Sequence, residues 1–452
     1  MSAKDLSGVQ TPSTPTPPAT GLAERLFKLR EHGTSVRTEL IAGLTTFLTM
    51  AYIIFVNPSI LGDAGMPKDA VFVATCLIAA LGSVIMGLYA NYPIAMAPGM
   101  GLNAYFAYAV VLHMGFTWQA ALGAVFISGC LFLIVTLFGL RKLIIDGIPQ
   151  SLRNAITVGI GLFLALIALK SAGIVVADKA TLVTLGDLHS APVILAVLGF
   201  IAIVALDRAR VPGAILIGIV GVTIASFFFG GNEFRGLFSA PPSIAPTFLQ
   251  LDIHTALTKG LLNVVLVFFL VELFDATGTL MGVAKRAGLL VPGKMERLNK
   301  SLLADSSAIF AGALLGTSST TAYVESAAGV QAGGRTGLTA LTVAVLFLAC
   351  LFIAPLAGVV PAYATAPALF FVACLMLREL TELDWNDSTE VVPAAVTALM
   401  MPFTYSIANG LAFGFITYAA IKLFTGRVRE VHPMVWIIAG VFLFKFFYIG
   451  GH

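Results

Sequence analysis

Residues 316–334 read GTSSTTAYVESAAGVQAGG, and residues 97–108 read APGMGLNAYFAY. Each belongs to an apolar segment, 322–332 or 100–114, that is too short to cross about 30 Å of hydrocarbon as one helix. In the first, small residues and hydroxyls surround one carboxylate, Glu325. The hydroxyls predict a cap at Thr320 or Thr321 for a helix starting at Ala322. The free N–H groups of such a start carry partial positive charge, with Glu325 in the first turn. In the second, Pro98, Gly99 and Gly101 break the helix ahead of Asn103. Laying GLNAYFA against YVESAAG sets Asn103 opposite Glu325.

The surroundings of these stretches are oily. Of 452 residues, 58% are hydrophobic and 11% charged, with mean hydropathy +0.96. Soluble domains are roughly 25% charged. A soluble globule, a disordered chain and a nucleic-acid binder are therefore excluded, and a net charge of +3 identifies no partner. The expectation is an all-α polytopic membrane protein. Apolar windows fall at 39–57, 69–92, 100–114, 117–140, 150–171, 190–207 and 211–229. A second series runs 257–281, 299–316, 322–332, 336–358, 362–380, 388–404 and 406–425. These fourteen spans divide into repeats at 39–229 and 257–425, joined by an extracellular or periplasmic connection, 230–256. Residues 1–21 read as a disordered cytoplasmic N-terminus without a signal-peptide pattern, and 22–38 as an amphipathic cytoplasmic segment. The C-terminal stretch 426–452 holds one further apolar segment, 431–449, expected to pack on the bundle or lie at the interface.

Orientation follows from the 26 Lys and Arg. With the N-terminus inside, twenty fall on cytoplasmic segments, Arg141 among them; five fall outside, and Lys445 lies in the leftover segment. That asymmetry predicts a multi-pass plasma-membrane (bacterial inner-membrane) protein with a cytoplasmic N-terminus. Seven is odd, so the second repeat enters from the opposite side. Weak matches kept in order, such as 81–92 with 311–322, support an inverted repeat. This is the plan of secondary transporters, with two discontinuous half-helices and short extended pieces building a midplane site.

Several acids lie where oil makes charge expensive. In HTALTKGLLNVVLVFFLVELFDATGTLM (254–281), Glu272 and Asp275 are three residues apart and share a helix face. Thr279, four past Asp275, is placed to hold its carboxylate. The competing reading is a structural hydrogen bond, which weighs more for Glu272 than for Asp275. Asp305 sits beside Ser306 and Ser307, which suggest local bonding. Tyr405, Asn409 and Asn263 are weaker candidates. A carboxylate facing an amide offers acceptors and donors to a flat heterocycle, with Tyr105, Phe106 and Tyr108 available for stacking or for helix packing. Cys76, Cys130, Cys350 and Cys374 read as small hydrophobes, and the six histidines fall at segment ends or in loops. GMGLNA (99–104) and GLLVPGKM (288–295) imitate nucleotide-binding loops without the strand those motifs require, so transport is expected to draw on an ion gradient.

At VELFDATGTL (271–280), TSSTTAYVESAAGVQAGGRTGLTA (317–340) and APGMGLNAYFAYAV (97–110), the chain resembles the AzgA-type purine nucleobase permeases. These belong to the nucleobase–cation symporter group that also includes xanthine and uracil permeases. The opening LAERLFKLREHGTSVRTELIAGLTTFLTMAYIIFVNP (22–58) and YATAPAL (363–369) fit as well, so the resemblance runs from residue 22 almost to the end. It implies a 7+7 inverted repeat with a core domain (spans one to four and eight to eleven) and a gate domain. It further implies proton symport of adenine, guanine or hypoxanthine by an elevator-type core movement, with no cofactor beyond the proton gradient. The family's site positions fall on Asp275 (span eight), Glu325 (span ten) and Asn103 (span three). Asp275 and Glu325 are the proton-coupling candidates, and Glu272, Thr279, Thr321 and Ala322 complete the expected substrate site. GTSSTTAYVES, APGMGLNAYF and MMPFTYSIANG (400–410) lean towards the adenine-type subgroup. The expected partners are a purine nucleobase, a proton and the lipid bilayer, without nucleic acid; whether the protein works as a homodimer stays open. The alternatives are an anion or other small-solute carrier of the same fold, and a membrane-embedded enzyme.

Overall fold

Every one of the apolar segments carries helix in the computed structural model, which describes residues 21–141, 144, 147–229, 236–259, 264–286, 290–291, 294–295 and 297–449. The N-terminal tail before residue 21, Asn263 and parts of GLLVPGKM lie outside the described residues. The helices are α1 (Leu22–Phe27), α2 (Val36–Met50), α3 (Ile53–Asp63), α4 (Lys68–Ile85), α5 (Met100–Ala104), α6 (Trp118–Leu137), α7 (Gln150–Ser171), α8 (Ala191–Arg208) and α9 (Ala214–Phe229). Then come α10 (Ile253–Lys259), α11 (Leu266–Arg286), α12 (Leu298–Leu315), α13 (Ser326–Gln331), α14 (Gly337–Cys350), α15 (Ala354–Val359), α16 (Ala362–Met376), α17 (Ser388–Phe403), α18 (Ile407–Phe424) and α19 (Pro433–Phe444). A π-helical stretch, Tyr105–His113, prolongs α5. Among the described residues, nine helical runs are long and apolar enough to cross a membrane.

The helices pack as two bodies. In the first, α2, α4, α6, α11, α12, α13 and α14 surround the two broken segments; in the second, α7, α8, α9, α16, α17 and α18 pack on one another. The bodies meet where α5 and α11 approach α7, and where α3 meets α16. Close approach is built from small residues, as lipid-embedded packing requires. A Cβ on Gly337 would fall 1.9 Å from the Gly87 carbonyl oxygen, so only glycine allows α14 to start there. The same start is fixed by Glu39 of α2, a fully buried acid that accepts from the N–H groups of Arg335 (2.8 Å), Thr336 (3.3 Å) and Thr339 (3.2 Å). On the periphery, α8 and α9 turn Ile194, Leu198, Ile201, Ile224 and Phe228 outward. Such faces are tolerated in hydrocarbon and costly in water.

The leftover segment 431–449 forms α19 and packs along α18, with Phe415 against Phe442 (6.5 Å between ring centroids) and Phe413 against Phe446 (5.5 Å).

Candidate functional site

Within the first body the two broken segments meet as a pair of short antiparallel strands, β1 (Met96–Pro98) and β2 (Thr320–Ala322), with Ala97 opposite Thr321. Local sequence explains both. The residue before a proline is pushed to extended backbone, which fixes Ala97, and β-branched Thr320 and Thr321 favour it. The pairing extends beyond the strands: the Gly99 N–H donates to the Ser319 carbonyl (2.9 Å) and the Tyr323 N–H to the Ala95 carbonyl (3.0 Å). The Tyr323 hydroxyl donates to the Pro98 carbonyl at 2.6 Å. Backbone groups of the two breaks thereby pair with one another inside the bundle, as hydrocarbon demands.

This geometry corrects the expected cap. Thr320, Thr321 and Ala322 are strand residues, and the helix begins four residues later, at Ser326, with Glu325 at its N-cap. The strand pairing competes with capping for the same residues and wins, because it satisfies both chains at once. Glu325 still stands at a half-helix mouth. Its Oε1 accepts from the Tyr52 hydroxyl at 2.5 Å. Tyr52 lies at the break between α2 and α3, where the helical run Val36–Asp63 is interrupted.

Asp275 sits mid-way along α11 and faces the crossing. A Cβ added to Gly99 would lie 3.8 Å from its Oδ2 and 3.0 Å from Thr321 Cγ2. None of the described residues hydrogen-bonds to the Asp275 carboxyl, which lies within electrostatic reach of Glu325. Asn103 is fully buried on α5. Its Oδ1 accepts from the Ser318 hydroxyl, while its Nδ2 donates to nothing among the described residues. Asp275, Glu325, Asn103 and Thr321 are thus gathered around the strand crossing.

Other expected residues go elsewhere. Residues three apart on a helix diverge by about 60°, and that angle separates Glu272 from Asp275. Glu272 Oε2 accepts from Ser128 on α6 at 2.6 Å, which ties α6 to α11, while its Oε1 is buried without a partner among the described residues. Thr279 makes no bond to Asp275 among the described residues; its neighbour Thr277 accepts from Arg141 at 3.2 Å. Arg141, counted above with the cytoplasmic charges, is instead 1% exposed. It sits 3.7 Å from Asp305 and 4.1 Å from the Phe132 ring. Ser306 and Ser307 donate to backbone carbonyls rather than to Asp305. The aromatics after Asn103 are also committed: Tyr105 packs edge-on to Phe268, and Tyr108 donates to Asp63 at 2.8 Å.

Sequence reading missed Tyr52, Ser318 and Tyr323. Each is ordinary in an apolar or hydroxyl-rich run, and only the crossing of the broken segments gives them partners. Among the described residues, no group of three or more His, Cys, Asp or Glu side chains is placed to share a metal ion.

Comparison with known proteins fits this architecture. The family model Xan_ur_permease, described as "Permease family", matches residues 37–413. The chain is 50% identical to the adenine permease AdeP of Escherichia coli, over 96% of this chain and 97% of that one. It is 47% identical to the guanine/hypoxanthine permease PbuO of Bacillus subtilis, over 93% and 100%. Among solved structures, the transmembrane domain of the cyanobacterial bicarbonate transporter BicA superposes with a TM-score of 0.62 at 18% identity, covering 84% of this chain and 97% of that one. Murine Slc26a9, an anion transporter in the inward-facing state, gives 0.63 at 12%, covering 92% and 73%. Those likenesses show the fold that these transporters share, two sets of seven segments. With that fold, and with close relatives that are transporters rather than enzymes, the chain belongs to the xanthine/uracil permease family and is a multi-pass membrane permease.

Proposed function

We propose that the protein imports purine nucleobases across the bacterial inner membrane together with protons. The observation that carries this reading is the uncommitted hydrogen-bonding capacity at the strand crossing. Asp275 has no hydrogen-bond partner among the described residues, Asn103 Nδ2 has none, and the Glu325 carboxyl takes one side-chain bond among them, from Tyr52. Leaving such groups unpaired in a low-dielectric interior is costly unless a ligand completes them. A purine supplies N–H donors for two carboxylates and a ring acceptor for one amide. Adenine and guanine/hypoxanthine permeases among the relatives lie in the same purine class, and the somewhat higher identity to AdeP leans towards adenine.

The chemistry is simple in this scheme. Purine binds with its N–H edge on Asp275 and Glu325, and Asn103 donates to a ring nitrogen or carbonyl. A proton taken by one carboxylate, for which Asp275 is favoured, removes a negative charge from the loaded site. Moving that site through hydrocarbon then costs less, because charge is what the bilayer resists. The first body serves as the moving core and the second as the gate. Two carboxylates make the site a poor one for anions, despite the cargo of the fold's structural neighbours.

The test is uptake of labelled adenine, hypoxanthine, guanine and uracil by nucleobase-transport-deficient cells, with and without a protonophore. Accumulation of a purine that collapses with the protonophore and ignores excess sulfate is expected. Purine uptake that survives the protonophore refutes proton coupling; no purine uptake, or uptake blocked by sulfate, refutes the substrate assignment.

A further inference from the structure

A cavity lies away from the strand crossing, at the helix ends opposite the Lys- and Arg-rich loops. Its volume is about 430 Å³, within the range usual for small-molecule sites. The first body contributes Asp63, Tyr108 and His113; the second contributes Lys170, Ser171 and Tyr405. The cavity therefore bridges the seam between the two bodies.

Its polar groups are only partly engaged. Tyr108 donates to Asp63 Oδ2, and no described residue hydrogen-bonds to the other carboxyl oxygen. The Lys170 ammonium lies 5.5 Å from the centre of the Tyr405 ring and makes no described ion pair with Asp63, although both line the same space. An acid and a base facing one cavity unpaired leave room for a ligand that both donates and accepts. Between them stands a flat, half-buried platform. Tyr405 is braced edge-on by Phe163 at 5.3 Å and flanked by His113 at 6.4 Å. Its backbone is left-handed (φ 52°), an uncommon and strained conformation for a residue with a Cβ. The turn between α17 and α18 accepts that strain and sets the ring in the cavity wall.

We infer that this cavity is an outer subsite in which a purine nucleobase stacks on Tyr405, donates an N–H to Asp63 and accepts from Lys170 before it reaches Asp275 and Glu325. The inference rests on the purine-permease reading above and extends it: the chain binds its substrate twice, first at a shared seam and then within the moving body. Occupancy of the subsite does not need the inner carboxylates.

The experiment labels a Ser171→Cys variant, after uptake is shown to be retained, with N-ethylmaleimide in isolated membranes, using adenine and hypoxanthine as protecting ligands and unsubstituted protein as background. Purine is expected to protect Cys at position 171, and to protect equally when Glu325→Ala is added. Adding Tyr405→Ala should raise the half-protecting concentration about tenfold, the size of one lost base–aromatic stack, while Tyr405→Phe leaves it unchanged. Protection that disappears with Glu325→Ala, or that survives Tyr405→Ala undiminished, overturns the subsite. Purine uptake without any protection of position 171 also overturns it and leaves the transport reading standing. Protection without purine uptake by the unsubstituted protein supports the subsite and sinks the transport reading instead.

Discussion

Tyr52 and Glu325 form the shortest link between the helix break in span one and the half-helix of span ten. A hydrogen bond to a charged group contributes about 1.5–3 kcal/mol. Tyr52→Phe removes the donor and keeps the ring, so purine uptake is expected to show a KM raised by roughly tenfold with unchanged amounts of protein in the membrane. An unchanged KM would show that Glu325 is held by something else. Residue identity was legible here in proportion to its oddity. Asp275, Glu325 and Asn103 stand out because oil makes them expensive; Tyr52, Ser318 and Tyr323 do not, because nothing local distinguishes them from packing residues. Glu272 and Arg141 show the converse. Both look exceptional or ordinary for the wrong reason until their partners Ser128, Thr277 and Asp305 are known.

At the level of elements, the strand pair decides the site. Gly99 is where β1 turns into α5, and any side chain there would press on Thr321 at 3.0 Å. Gly99→Val should therefore abolish uptake while the protein still inserts, whereas Gly21→Ala, with nothing within 4 Å of the added Cβ, should be silent. Full transport by Gly99→Val would contradict the crossing. The start of the first broken segment at Met100 was readable from Pro98, Gly99 and Gly101, but the second was misplaced: its helix starts at Ser326 rather than Ala322, and Thr320 and Thr321 form strand rather than a cap. Local propensity allows a cap and a strand alike, and only the distant partner 96–98 selects the strand. In the second body, Asp387 caps α17. Its carboxyl is held well below the usual carboxylate range by the Thr389 hydroxyl and then by Arg427, 2.7 Å away. A depressed folded-state value gives stability that is present above the unfolded pKa of about 4 and lost as pH falls through the folded one. Arg427→Ala should thus lower Tm in detergent at neutral pH, with the difference from the unsubstituted protein narrowing in strong acid. A difference that widened on acidification would contradict this.

For the whole molecule, the proposed transport cycle moves the two separately packed bodies relative to one another along the seam where they meet. His113 and Tyr405 face each other across that seam, at the helix ends away from the Lys- and Arg-rich loops. A reducible bifunctional thiol reagent joining His113→Cys to Tyr405→Cys should arrest uptake, and reductant should restore it; uptake that continues when cross-linked would mean that the bodies do not separate there. The polytopic class, the segment count and the fold were legible from hydropathy, charge asymmetry and the resemblance. Which faces of each helix meet was not, since in hydrocarbon every face is apolar and the hydrophobic pattern no longer separates inside from outside.

The account depends on two acids at the crossing holding substrate. Binding of labelled adenine and hypoxanthine to purified Tyr405→Ala protein, in which the outer subsite is weakened, compared with the same protein also carrying Asp275→Asn or Glu325→Gln, tests it most directly. The account predicts a loss of at least about tenfold in affinity for each variant, as expected when a charge-assisted hydrogen bond is removed, with Tm little changed. Purine binding at full affinity in either properly folded variant would contradict it.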